Sequence, residues 1–88
     1  MVRLDIGTTY VTTIFYSGTP DAELDAFVDS IAKINRGKWS SSGCNYTSDE
    51  RDLRYSFRTE QSAHAFRREL LSTGRGIIRA RVDSQRGL

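Results

Sequence analysis

The chain has one cysteine, Cys44, one histidine, His64, and one proline, Pro20, in 88 residues. A single cysteine rules out an internal disulfide framework, and one Cys with one His cannot complete a structural zinc site within one chain. No stretch approaches the ~18 consecutive apolar residues that a membrane span needs, and the first ten residues hold no long apolar run. These absences place the protein in the cytoplasm, away from membranes. At this length a second core is not expected, so residues 1–88 read as a single domain. Hydrophobic residues make up 38% and charged residues 27%, which excludes a disordered chain.

Charge is present but unevenly spread around a net +2. Residues 1–35 hold two basic and five acidic groups, a net of −3, whereas residues 36–88 hold eleven basic and six acidic groups, a net of +5. Eleven of the thirteen basic residues are arginine, whose planar fork suits phosphate and carboxylate alike. The basic half is still thinner than the dense patch of a dedicated nucleic-acid domain.

Apolar periodicity divides the chain into six elements. Thr8 to Tyr16 is rich in β-branched and aromatic residues and reads as a strand. Thr19 and Pro20 suit the start of a helix, and Asp21, Glu23 and Asp25 favour its positive end. Leu24, Phe27, Val28, Ile31 and Ile34 then form one apolar stripe, and Gly37 supplies the stop. Trp39 to Tyr46 is a weaker strand suited to a sheet edge, with Gly43 as a candidate bulge. Leu53, Tyr55 and Phe57 alternate with polar residues as in a half-buried strand. Thr59 caps a second helix with Ala63, Phe66 and Leu70 buried, and Gly74 ends it. Ile78, Ala80 and Val82 alternate with Arg79 and Arg81 in the last strand, and residues 84–88 read as a frayed tail.

This order predicts an α+β, ferredoxin-like βαββαβ two-layer sandwich: a four-stranded antiparallel sheet with two helices on one face. The other face is left open. Alternation sends Arg54, Ser56, Arg58, Arg79 and Arg81 to that face, and one of the two apolar sets of the first strand goes with them. Which set is undecided, because Tyr10, Ile14 and Tyr16 oppose Val11 and Phe15. An apolar strip bordered by arginines points to a contact surface. Val2, Leu4 and Ile6 could instead cover it, as an extra strand or as an arm reaching a neighbouring subunit.

The expected function is therefore a small non-catalytic binding or adaptor module, contacting a protein partner or a second copy of itself. Phe15, Tyr16, Arg54, Arg58, Arg79 and Arg81 are its candidate binding residues, since aromatic and arginine side chains dominate interface energetics. No metal, cofactor or small-molecule ligand is indicated. The alternative is single-stranded RNA or DNA binding by the same face. Ile14-Phe15-Tyr16 is similar to the first-strand motif of RNA-recognition-motif domains, with Phe15 at the stacking position. The third strand departs from that family, because its stacking positions fall on Asp52 and Arg54. Catalysis by Cys44 and His64 would require the edge strand and the second helix to meet.

Overall fold

The computed structural model describes residues 8–18, 20–45, 49–74 and 76–86. The six elements run β1 (Thr8–Ser17), α1 (Ala22–Ile34), β2 (Lys38–Asn45), β3 (Glu50–Phe57), α2 (Glu60–Thr73) and β4 (Ile77–Arg86). The strands form one antiparallel sheet in the order β2-β3-β1-β4, the ferredoxin-like arrangement. The two edge strands are β2 and β4, and the β2 edge, KWSSSGCN, falls where the sequence is weakly apolar.

The core lies between the sheet and the two helices. From β1 it takes Ile14 and Tyr16, from β3 Leu53, Tyr55 and Phe57, and from β4 Ala80. The helices contribute Val28, Ala32, Ala63, Phe66 and Leu70. Phe66 is its centre, with its ring 5.4 Å from that of Tyr55 in an edge-to-face contact and 5.2 Å from that of Phe57. Thr12 is buried on the same side, and its hydroxyl donates to the Ala63 carbonyl at 3.2 Å. A polar side chain is tolerated there because its hydrogen bond is made.

Helix ends follow local chemistry, with shifts from the sequence reading. Asp21, one residue beyond Pro20, is the cap of α1, and its carboxylate accepts from the backbone N–H of Glu23 and Leu24. Thr19 lies outside the described residues. Asn35 closes the helix and Arg36 follows in the left-handed region at φ 67°. Gly37 then runs so close to the core that a Cβ there would sit 2.5 Å from the Phe57 ring. Its role is close approach rather than an unusual dihedral. Thr59 caps α2 as expected, and Gly74 ends it at φ 66°.

Three expectations are corrected. Ile34 does not join the α1 stripe but is 71% exposed, because it is the last residue of α1, where the chain turns away through Asn35 and Arg36. The irregularity of β2 lies between Trp39 and Ser41, not at Gly43, which pairs with Asp52 in register. Residues 84–86 are not a frayed tail: Ser84, Gln85 and Arg86 pair with Tyr10, Thr9 and Thr8. Polar composition misled here, since backbone pairing at the end of a long β1 holds the strand regardless of its side chains. Residues 2–6 and 87–88 lie outside the described residues.

Candidate functional site

Strand register decides which side chains reach the open face. Ile14, Tyr16, Leu53, Tyr55 and Phe57 are buried under the helices, so their neighbours Val11, Thr13, Phe15, Asp52, Arg54 and Ser56 point the other way. From β4 the same face receives Arg79, Arg81, Asp83 and Gln85, opposite Phe15, Thr13, Val11 and Thr9 respectively. A shift in register beyond Phe15 lets Ile77 turn back to the core opposite Tyr16.

Phe15 is the aromatic of this face and is half-buried. The Arg79 guanidinium lies 4.1 Å from its ring centroid and that of Arg81 5.9 Å away, within cation–π range. Arg79 also reaches the carboxylate of Glu50 at 3.3 Å. Arg54 meets Asp52 at 3.1 Å, and Arg81 meets Asp83 at 3.0 Å. Each arginine of the group is thus answered by a carboxylate. Phe15, Gly43, Glu50, Asp52, Arg54 and Arg79 line a shallow cleft of ≈ 320 Å³ together with Arg51. Farther along β1, Val11 and Thr13 are buried on this open side at 6% and 2% exposure, in the row of Arg54, Arg81, Asp83 and Gln85. The apolar strip is therefore narrow and largely shielded by the arms of its own charged neighbours.

Two of the six candidate binding residues lie elsewhere. Tyr16 is a core residue, a correction that follows from its parity with Ile14: both sit under the helices. Its hydroxyl donates to Asp25 Oδ1 at 2.6 Å and accepts from the Asp21 N–H at 2.9 Å. Arg58 follows β3, six positions from Asp52, and is separated from Phe15 by most of the sheet's length. Phe15, Arg54, Arg79 and Arg81 remain as one group. The sequence reading placed Asp52 beside Arg54 but did not pair the arginines with Glu50, Asp52 and Asp83. Cross-strand register, which pairs Phe15 with Asp52 and Val11 with Asp83, would have found two of them.

The helix side of the same sheet end holds a second polar group. Asp25 accepts from Tyr16 and also pairs with Arg51 Nη2 at 3.0 Å. One turn on, Asp29 accepts from the Tyr55 hydroxyl at 3.2 Å and pairs with Lys33 at 3.0 Å. Burial first, and then the bond to Asp25, raise Tyr16 above the ordinary tyrosine value of 10.0. Burial and the charge of Asp29 raise Tyr55 further still. An acid held protonated by the fold stabilises it fully below the unfolded value near 10.0 and progressively less as pH rises through the higher folded value. Tyrosinate absorbance at 295 nm should accordingly show two late-titrating groups whose ionisation coincides with loss of far-UV dichroism. All the tyrosines ionising together near the ordinary value of 10.0 would contradict this.

The topology keeps Cys44 and His64 apart. The strand of Cys44 is the β2 edge, packed by α1, whereas the helix of His64 lies over β4 and β1. His64 faces Glu60 at 3.7 Å, one turn back on the same helix. Among the described residues no group of three His, Cys, Asp or Glu side chains is placed to hold a metal ion. No helix among them is long and apolar enough to cross a membrane.

No family model and no curated protein matches the chain. Solved structures do resemble its fold. A formyltetrahydrofolate deformylase from Burkholderia mallei superposes with a TM-score of 0.56 at 19% identity, over 88% of this chain and 27% of that one. A protein of unknown function from Galdieria sulphuraria gives 0.51 at 13% identity, over 92% of this chain and 46% of that one. The chain spans about a quarter and just under half of those two proteins, and at such identities the likeness is one of fold.

Proposed function

We propose that the protein is a non-catalytic binding module whose open sheet face packs against another protein surface, with a second copy of the same chain as the first candidate. The observation that carries this reading is the charge balance around Phe15. Arg54, Arg79 and Arg81 are matched by Asp52, Glu50 and Asp83 on one face, so the face is complementary to itself. A two-fold pairing would exchange these partners between copies, with Phe15 as the apolar anchor near the centre. Single-stranded nucleic acid fits less well, because the three carboxylates would lie along the path of a phosphate backbone. Asp52, directly opposite Phe15, stands where a second base would stack.

The reading is tested by solution mass against concentration. A concentration-dependent dimer is expected, weakened about tenfold or more by Phe15→Ser and by Arg79→Glu. Combining Arg79→Glu with Glu50→Arg should recover part of the loss. A chain that stays monomeric at millimolar concentration, or a dimer indifferent to these changes, would remove the basis for self-association. Tight binding of labelled single-stranded RNA that weakens by roughly 0.7 log units per contact for each tenfold rise in salt would replace it with the nucleic-acid reading.

A further inference from the structure

The far end of the sheet from Phe15 carries a different kind of surface. There the turn after α1, the start of β2, the end of β3 and the start of β1 enclose a cleft of ≈ 620 Å³ lined by Thr8, Thr9, Arg36, Lys38, Ser56, Phe57 and Arg58. Lys38 stands opposite Ser56 across the β2–β3 pairing, and the Ser56 hydroxyl donates to the Lys38 carbonyl at 3.5 Å. Arg58 is two residues beyond Ser56, next to the Thr59 cap of α2. Arg36 enters from the other side, on the left-handed residue that turns the chain out of α1.

Three cations therefore border one cleft, with no carboxylate in its lining. The contrast with the Phe15 group is the informative point. Each arginine of that group is met by an acid, whereas Arg36, Lys38 and Arg58 have no acidic partner among the described residues. Glu60, in the first turn of α2, does not line the cleft. Unanswered like charges around a concavity repel one another, and an anion seated among them relieves that repulsion.

We propose that this cleft binds a small phosphorylated ligand carrying about three negative charges, with the chemistry of a diphosphate ester. The guanidinium groups of Arg36 and Arg58 present paired donors to phosphate oxygens, Lys38 adds a mobile point charge, and the hydroxyl of Thr9 supplies a further donor. The volume is that of a site for a ligand of nucleotide size. A long polyanion is a poorer match. The next row of the open face, Ser56–Val11–Asp83, ends on a carboxylate, so a strand leaving the cleft along the sheet would meet repulsion at once.

Inorganic pyrophosphate, a nucleoside diphosphate and a ten-nucleotide single strand are titrated separately, with binding read by calorimetry and by backbone amide shifts. Either of the first two should bind and raise the melting temperature, with Arg58→Ala and Lys38→Ala each weakening affinity about tenfold. Tighter binding of the nucleotide identifies an esterified ligand; equal binding identifies the bare diphosphate. Arg36→Gly is the discriminating variant. It places glycine at a left-handed position, so it should raise the melting temperature by about 4 °C while lowering affinity. Loss of binding with a gain in stability cannot come from misfolding. Phe15→Ser should leave diphosphate affinity unchanged, which separates this site from the open-face contact. Failure of both small anions to bind at millimolar concentration, binding indifferent to all three cations, or binding of the strand alone would overturn the proposal.

Discussion

Replacing Phe66 with alanine is expected to cost about 3–5 kcal/mol and to lower the melting midpoint steeply. The side chain is fully buried at the centre of the only aromatic cluster among the described residues, between Tyr55 and Phe57. Its removal forfeits the transfer free energy of a large ring and leaves a cavity between α2 and β3. Rigid strand backbones on one side and the Gly37 turn against Phe57 on the other limit any collapse into that space. A domain of this size has about 5–10 kcal/mol of stability in total, so a loss of this size takes roughly half. Each kcal/mol shifts the midpoint by about 4–8 °C in such a domain, and a fall of about 20 °C is expected by calorimetry. Phe66→Leu, which keeps most of the volume, should recover the greater part. A midpoint within about 5 °C of the parent for Phe66→Ala, a loss of only about one kcal/mol, would show that the core is centred elsewhere.

Much of this architecture was legible because two periodicities do not overlap. Ala63, Phe66 and Leu70 recur at helical spacing and are all buried, while Leu53, Tyr55 and Phe57 alternate and share one face. The ambiguity of β1 arose because both of its faces are rich in large or branched residues. Packing resolves it: Tyr16 has hydroxyl partners waiting in Asp21 and Asp25, whereas the opposite parity places Phe15 where arginine covers it. Ile34 falls outside the stripe because periodicity does not say where a helix ends, and Ile34 is the last residue of α1. The basic cleft was hidden for another reason. Arg36, Lys38, Arg58 and Thr9 are scattered along the chain, and only the β1–β3–β2 pairing gathers them. The acidic first turn of α1 was read as a helix-end effect, yet Arg51 shares parity with Leu53 and so had to face inward. A cation on the core side demands a partner, and that demand pointed to α1.

That inward cation sets the second large effect. Asp25→Ala is expected to destabilise the domain by about 2–3 kcal/mol, more than any other change in its polar network. Asp25 is the hub: one oxygen accepts from Tyr16 at 2.6 Å and the other pairs with Arg51 at 3.0 Å. Tyr16 and Arg51 are direct cross-strand neighbours, so a single carboxylate from α1 clamps β1 and β3 from above. The Arg51 side chain is only 14% exposed and that of Asp25 27%, so water replaces the lost carboxylate poorly. Tyr16→Phe removes the bonds to Asp25 and to the Asp21 N–H yet leaves the ion pair, and should cost about 1–2 kcal/mol. Because Asp25 and Tyr16 are bonded to each other, their effects should not add. In the double variant the coupling between Asp25 and Tyr16 should be about 1 kcal/mol by urea unfolding. Additive losses would mean that Tyr16 is held by the Asp21 backbone alone and that the clamp closes on Arg51 without it.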